Sequence, residues 1–368
     1  RQIVIREIKN APDQQDVLLG SAFFMKLVGG VIAFALAFLM AVLLFPAEPA
    51  LQLVVLIISA GFVFQSLDVI DYFYQSRSQS RNVVIARNLA YLVSAVLKIT
   101  FITLDLGVAW FALAGTIDLM IAAILMVYSY RKSGGFIFRW QTSLKLSRQL
   151  LVYSWPLMLS TFLISVHMRV DQVMIGSMLD DTRVGLYSVA VRLSEFWYFI
   201  PTIIVSTLLP YFVELRKQDR ASYARKLTQL YSLMFWMGVV VGALVMLWGE
   251  PLIVMLFGED YRNSYQALVW NIWAGIFVAQ GLARGIWMVA EDLQKYRVYS
   301  KVFAVLLNIG LNLLLIPRFG IKGAALSTLA TQGLALWGFS LLLGPLRKST
   351  TDLMRSVNPA YLLRGIRQ

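Results

Sequence analysis

The chain contains no cysteine and a single histidine, His167, among its 368 residues. Disulfides, thiolate metal sites and multi-histidine metal sites are excluded at once. Charge is also scarce. Only 14% of residues are Asp, Glu, Lys or Arg, where a soluble domain carries about 25%. Apolar residues take their place, at 59% of the chain with a mean hydropathy of +0.69. Such a chain does not fold in water, which excludes soluble multidomain enzymes. The net charge of +13 invites a nucleic-acid reading, but the distribution of the basic residues decides against it.

A helix crosses the hydrocarbon layer with roughly 20 mostly apolar residues. Ten stretches qualify: 20–45, 51–75, 83–104, 108–130, 149–178, 185–212, 227–248, 264–290, 298–316 and 322–346. Their length and their richness in Leu, Ala, Phe and Met favour helices over a membrane barrel of alternating strands. The expected fold is therefore all-α and polytopic. The connections 1–20, 76–88, 131–148, 213–226, 291–301 and 347–368 hold 24 lysines and arginines. The alternate connections hold only Arg183, Arg262, Arg318 and Lys322, against seven acids. By the positive-inside rule the basic side is cytoplasmic, with both ends of the chain. The basic excess is thus a topology signal, and no nucleic acid is expected as a partner.

The stretch Arg81–Lys132 can be laid on Tyr296–Lys348. Each has a basic start, a span, a tight turn at Gly107 or Gly320, an Ala-rich span and a closing basic pair, Arg131-Lys132 or Arg347-Lys348. The match continues upstream, so the last four spans pair with the first four. Spans 149–178 and 185–212 have no counterpart. The simplest account is a twelve-span parent of two six-helix lobes, with about 65 further residues and two spans before Arg1. A ten-span protein with chance similarity is the alternative. The expected organisation is an N-terminal lobe at 1–131, an inter-lobe linker at 132–148, a C-terminal lobe at 149–346 and a cytoplasmic tail at 347–368.

Four segments then read together. They are Met168-Arg-Val-Asp-Gln-Val-Met-Ile-Gly176, Val184-Gly-Leu-Tyr-Ser-Val-Ala-Val-Arg-Leu-Ser-Glu195, Trp248-Gly-Glu-Pro-Leu-Ile-Val-Met-Leu-Phe-Gly-Glu-Asp-Tyr261, and the run Asn308-Ile-Gly-Leu-Asn-Leu-Leu-Leu-Ile-Pro-Arg-Phe-Gly-Ile-Lys-Gly-Ala-Ala325. The ordered set resembles the bacterial polysaccharide flippases of the Wzx type. Their superfamily also holds the multidrug and toxin extruders and the lipid II flippases. The resemblance covers most of 149–346 and reaches the first half by layout only. It implies twelve helices in two lobes around a central cavity. It also implies movement of undecaprenyl-diphosphate-linked oligosaccharide to the outer leaflet of a bacterial cytoplasmic membrane, for surface polysaccharides such as O-antigen. Membrane lipids and a polysaccharide polymerase are the implied partners.

Ionisable groups inside spans usually face a bundle interior or a watery cavity. Five cations, Lys26, Lys98, Arg169, Arg192 and Arg284, stand against five acids, Asp68, Asp71, Asp118, Asp171 and Glu195. The cations suit an anionic diphosphate, arginine as a planar fork and lysine as a point charge. All five are expected to line a cationic substrate cavity. Asp68, Asp118, Asp171 and Glu195 are the candidates for coupling transport to an ion gradient. Each has a structural alternative: interfacial snorkelling for Asp68, Asp71 and Arg284, a Lys98–Asp118 pair near mid-depth, and a network linking Arg169 and Asp171 to Arg192 and Glu195. His167 is a packed polar residue or a proton relay. Pro156, Pro201 and Pro210 can kink their spans. Aromatics at Phe196–Phe199 and Tyr72–Tyr74 read first as an interfacial belt.

A multidrug or cation antiporter is the competing function within the class, and it should show more acid than base in its cavity. A membrane polymerase or ligase is the rival of another class. It needs catalytic groups on a sizeable outer loop, and no outer loop exceeds about 15 residues. No Gly-x4-Gly-Lys-Ser/Thr loop occurs, so no ATP hydrolysis by the chain and no cofactor are expected.

Overall fold

The computed structural model describes residues 2–77 and 79–363, without certain helical side chains, among them those of Pro156 and His167. The expected kink at Pro156 and the relay at His167 concern side chains outside the described residues. The described chain is all-α, with no strand. Among the described residues nine helical stretches are long and apolar enough to cross a membrane, and they coincide with nine of the ten expected spans. The tenth, 149–178, lies in the 35-residue helix Leu144–Met178, where several side chains are undescribed. Large apolar residues cover the outward faces: Leu43, Ile99, Leu247 and Met255 are all more than 60% exposed. Such surfaces are stable only against lipid or another apolar partner.

The chain divides into two compact units, Arg1–Leu157 and Met158–Gln368. In the first, a short helix α1 (Gln2–Asn10) leads into α2 (Gln15–Leu44) and α3 (Pro49–Phe64). A 3-10 turn at Gln65–Asp68 then breaks the second span before α4 (Val69–Ser76). The hairpin α5 (Arg81–Thr103) and α6 (Val108–Lys132) follows. Ser94 Oγ donates to the Ala114 carbonyl at 3.1 Å and fixes the register of that hairpin. Thr116 Oγ1 ties α6 to the Ile57 carbonyl of α3 at 2.7 Å. The core lies at the end bearing the basic loops, where Leu19, Ile70, Phe73, Tyr74, Met126 and Tyr130 pack together. Trp140, in the connection after α6, donates to the Tyr130 hydroxyl at 3.2 Å. The connection thus packs with this unit.

Helix α7 (Leu144–Met178) runs from the first unit into the second. Next come α8 (Asp181–Phe196), α9 (Phe199–Gln218), α10 (Arg220–Phe257), α11 (Tyr265–Ala290), α12 (Gln294–Phe319) and α13 (Ile321–Gly333). A π-helical segment, Leu334–Phe339, continues α13. Aspartates start two of these helices. Asp180 accepts from the Arg183 N–H, and Asp219 from those of Ala221 and Ser222, which satisfies donors that a helix start leaves open. Helix α11 is the most buried of the nine apolar stretches found among the described residues. One core gathers Phe212, Leu230, Met234, Ile286 and Leu346, and a second gathers Ile175, Ile253, Leu268, Ile316 and Ala324.

The span 185–212 breaks at Trp197–Tyr198, between α8 and α9, four residues before Pro201. Pro201 has no N–H, which leaves the Trp197 carbonyl without its helical donor, so the break lies where Pro201 is expected to kink the span. Pro210 lies inside α9.

Beyond the spans, Arg216 holds Glu291 through two hydrogen bonds of 2.8 Å, Nε to Oε1 and Nη2 to Oε2. Those bonds and the guanidinium charge hold the Glu291 carboxyl below its ordinary range. A lowered folded-state value means that the pair stabilises above the usual carboxylate range and loses its effect as pH falls through the lowered value. Glu291→Gln should therefore cost about 1 kcal/mol at neutral pH. The difference from the unsubstituted protein should shrink as pH falls through the usual carboxylate range and close only below the lowered Glu291 value. Thermal unfolding in detergent at several pH values tests this, and a gap that widens on acidification would refute it.

Candidate functional site

Asp171, 7% exposed on α7, is one of three deeply buried predicted charges, with Asp71 and Arg284. Its Oδ2 accepts from the Tyr187 hydroxyl of α8 at 2.8 Å and from Thr328 Oγ1 of α13 at 2.5 Å. Its Oδ1 accepts from Asn312 Nδ2 of α12 at 2.6 Å. Four helices thus converge on one carboxylate. Among the described residues no cation pairs with it. A charge buried this deeply is tolerable only when hydrogen-bonded or otherwise compensated. The shell has oxygens to spare. Asn312 Oδ1 and both side-chain polar atoms of Asn271 are buried without a partner. Asp171, Tyr187, Asn271 and Thr328 line one cavity of about 240 Å³, together with Glu195, Arg297 and Lys301. The direct shell of Asp171 is neutral, two hydroxyls and one amide, which suits a proton or a small monovalent cation. It does not suit a transition metal, since no cluster of three or more His, Cys, Asp or Glu occurs among the described residues.

Arg169, Arg192 and Glu195 line a separate, open cleft of about 450 Å³ in the same unit. The three share this cleft, and Glu195 also lines the Asp171 cavity. Arg284 is 2% exposed and donates from Nη1 to the Leu336 carbonyl and to Ser340 Oγ, both at 2.9 Å. Interfacial snorkelling, its structural alternative, does not describe it.

In the first unit Lys26 and Asp68 meet each other. Lys26 Nζ donates to the Gln65 carbonyl at 2.7 Å, in the 3-10 break, and lies 3.7 Å from Asp68. Arg87 approaches Asp68 at 3.5 Å and the buried Asp71 at 3.6 Å. These charges form a mutually neutralising group. Lys98 and Asp118 do not pair. The Ser94–Ala114 contact sets Lys98 opposite residue 110 and Asp118 opposite residue 90, an offset of eight residues or about 12 Å along the helices. Lys98 lies five residues from the end of α5, so it is not at mid-depth as expected.

Tyr187, Asn271, Asn312 and Thr328 are site residues that charge counting does not find. The available signal is Asn308 and Asn312, four apart and therefore on one face of a span.

The sequence matches the family described as "Polysaccharide biosynthesis protein" over residues 2–266. The chain belongs to that family. It is 25% identical over 237 residues to the capsular polysaccharide biosynthesis protein CapF of Staphylococcus aureus, covering 60% of this chain and 59% of that protein. It is 26% identical over 221 residues to the probable flippase AglR of Haloferax volcanii, covering 58% of this chain and 40% of that one. The aligned part is thus less than two thirds of either relative. Among solved structures, the fold is similar to the lipid II flippase MurJ in an inward closed conformation. The TM-score is 0.70 at 15% identity, over 94% of this chain and 73% of that one. It is also similar to an inward-facing multidrug resistance MATE family transporter of the MOP superfamily, with a TM-score of 0.71 at 15% identity, over 96% and 86%. The all-α membrane fold expected from the sequence is therefore found in known transporters.

Proposed function

We propose that the full protein flips an oligosaccharide linked to undecaprenyl diphosphate across a bacterial cytoplasmic membrane for surface polysaccharide synthesis. What carries this is a match to a polysaccharide biosynthesis family by a chain made almost wholly of membrane-crossing helices. Bond chemistry on sugars needs a built site outside the spans, whereas moving a lipid-linked sugar needs the spans themselves. The two relatives, one of capsule synthesis and one named a probable flippase, support the same direction. Deleting the gene should abolish surface polysaccharide and leave lipid-linked oligosaccharide in the cytoplasmic leaflet. Lipid-linked units that reach the outer leaflet and stay unpolymerised would instead indicate a polymerase.

Alternating access of two lobes, at 1–131 and 149–346, supplies the movement, with the polymerase as the downstream partner. Arg169 and Arg192 offer cationic lining in an open cleft. Asp171 carries the coupling ion, a proton or a monovalent cation, because its carboxylate is buried, lacks a cationic partner and lies beside unpartnered oxygens. The basic loops and the C-terminus face the cytoplasm. A single cysteine at 220 should resist an impermeant maleimide in intact cells, and one at 260 should react. The opposite pattern would reverse the orientation.

A further inference from the structure

One extended residue, Leu343, separates the last span from a further helix, Gly344–Arg355. The two faces of that helix differ in kind. Leu346, Ser349, Thr350 and Leu353 are buried, and so is Ser356 just past its end. Arg347, Lys348, Thr351 and Arg355 are exposed. Spacings of three, four and seven put these four in one arc of about 100°, opposite the buried set. The arc holds three cations and no acid. Asp352, the one acid of the helix, lies between the two faces and is half-buried.

The inner face is fastened to the unit. Leu346 and Leu353 belong to the core that holds Leu227, Leu230 and Tyr231 of α10 and Ile286 of α11. The Ser349 and Tyr231 hydroxyls lie 3.2 Å apart. Gln280 Nε2 of α11 donates to Ser356 Oγ at 3.2 Å, and Gln280 Oε1 accepts from Trp337 Nε1 of the π-helical segment at 3.2 Å. These anchors lay the helix across the unit. A Cβ on Gly238 would come within 2.8 Å of Ile276 Cγ1, and that register sets Tyr231 opposite Ala283. Gln280 then stands about 5 Å deeper than Tyr231, whereas Ser349 and Ser356 are about 10 Å apart along their own helix.

The level is the edge of the apolar layer. Tyr231 is four residues, about 6 Å, past the start of the apolar stretch 227–248. Arg225 and Lys226, just before that stretch, are exposed cations. Amphipathic helices that lie in a membrane surface sit at this depth, and the long stems of Arg and Lys carry their charges out among the headgroups.

We propose that Arg347, Lys348 and Arg355 form a docking surface for anionic phospholipids of the leaflet on the basic side. A headgroup with net negative charge, such as phosphatidylglycerol, complements three cations, and zwitterionic phosphatidylcholine does not. The surface faces outward from the unit and encloses nothing, so it gathers bilayer lipid and is independent of any cargo. An acidic soluble protein would use the same charges, but it approaches from water, whereas this face lies level with the start of the apolar layer.

The 368 residues hold no cysteine, so Thr351→Cys places one fluorophore in the middle of the exposed arc. The full protein is put in phosphatidylcholine nanodiscs with an equal, small fraction of phosphatidylglycerol or phosphatidylcholine bearing a quencher near the top of its acyl chain. Labelled phosphatidylglycerol should quench about threefold more strongly than labelled phosphatidylcholine. The excess should vanish in about 1 M salt, where charges are screened beyond about 3 Å. It should vanish in the triple variant Arg347→Gln, Lys348→Gln, Arg355→Gln, and persist in Arg347→Lys with Arg355→Lys, which keeps the charges. Lys348→Glu alone, at an exposed side chain, should lower it and serves where the triple variant does not fold. Equal quenching by the two lipids overturns the proposal, as does an excess unchanged by salt or by Lys348→Glu. A reporter that neither lipid quenches places the face in water, open to a soluble partner, and overturns it too. No readout requires transport, so the result is separate from that of the flippase function.

Discussion

Asp171→Asn is expected to stop ion-coupled transport while the protein still reaches the membrane. The carboxylate collects donors from Tyr187, Thr328 and Asn312. An amide of nearly the same shape can keep the two hydroxyl contacts, because hydroxyl groups rotate to accept as well as donate. The Asn312 amide can turn its unpartnered oxygen inward. The stability cost should therefore be modest, about 1–3 kcal/mol for altered buried hydrogen bonds. The negative charge is what cannot be recovered. Without it neither a proton nor a monovalent cation is bound there, and transport should fall by tenfold or more, the change that about 1.4 kcal/mol in a barrier produces. Thr328→Val and Tyr187→Phe each delete one hydrogen bond to the charge and keep the charge itself. They should retain partial transport with an altered dependence on pH or on sodium. Transport, membrane abundance and ion dependence measured together separate the two effects. Full transport with unchanged ion dependence in Asp171→Asn would remove Asp171 from the coupling role.

Much of the fold is legible because hydrophobic length is a one-dimensional signal. Nine of the ten stretches found by counting apolar residues coincide, among the described residues, with helices long and apolar enough to cross a membrane. The hairpins around Gly107 and Gly320 are marked by glycine and by basic ends. Charge pairing is harder to see, because it depends on register. Lys98 and Asp118 look adjacent when spans are drawn as equal rods, yet one hydrogen bond, Ser94 to Ala114, sets them eight residues apart. Helix breaks are also hidden. The 3-10 turn at Gln65–Asp68 frees the carbonyl that Lys26 uses, and no proline marks it. Around Asp171 the sequence shows the acid but not its shell, since Tyr187, Asn271 and Thr328 are neutral residues scattered over three helices. Arg297 and Lys301 sit at the start of a span, where basic residues read as topology. Their convergence with Asp171 and Glu195 on one cavity shows only in the structure.

Gly323→Ala should be the most damaging small substitution in the α12–α13 hairpin. A Cβ at this position would lie 2.2 Å from the Leu315 carbonyl oxygen, 2.5 Å from its carbon and 3.0 Å from the Ile316 nitrogen. All three are main-chain atoms in the last turns of α12, so no side-chain rotation relieves the overlap. The turn cannot absorb it either. Gly320 holds a φ of +59° that favours glycine, and its conformation sets the distance between the two helices. The hairpin must open, and with it the packing of Ile316, Ala324 and Ala325 in one of the two cores of this unit. Overpacking of this kind costs up to about 3 kcal/mol and occasionally more, or about 6–12 °C in melting temperature for a unit of this size. The matching turn in the first unit provides the control. Gly107 has a φ of −67°, and a Cβ added there would meet nothing within 4 Å, so Gly107→Ala should leave the melting temperature unchanged. The Asp171 pocket takes Asn312 from α12 and Thr328 from α13, so Gly323→Ala should impair transport through the same displacement. Equal melting temperatures for the two alanine variants would show that α12 and α13 do not approach as closely as the structure places them.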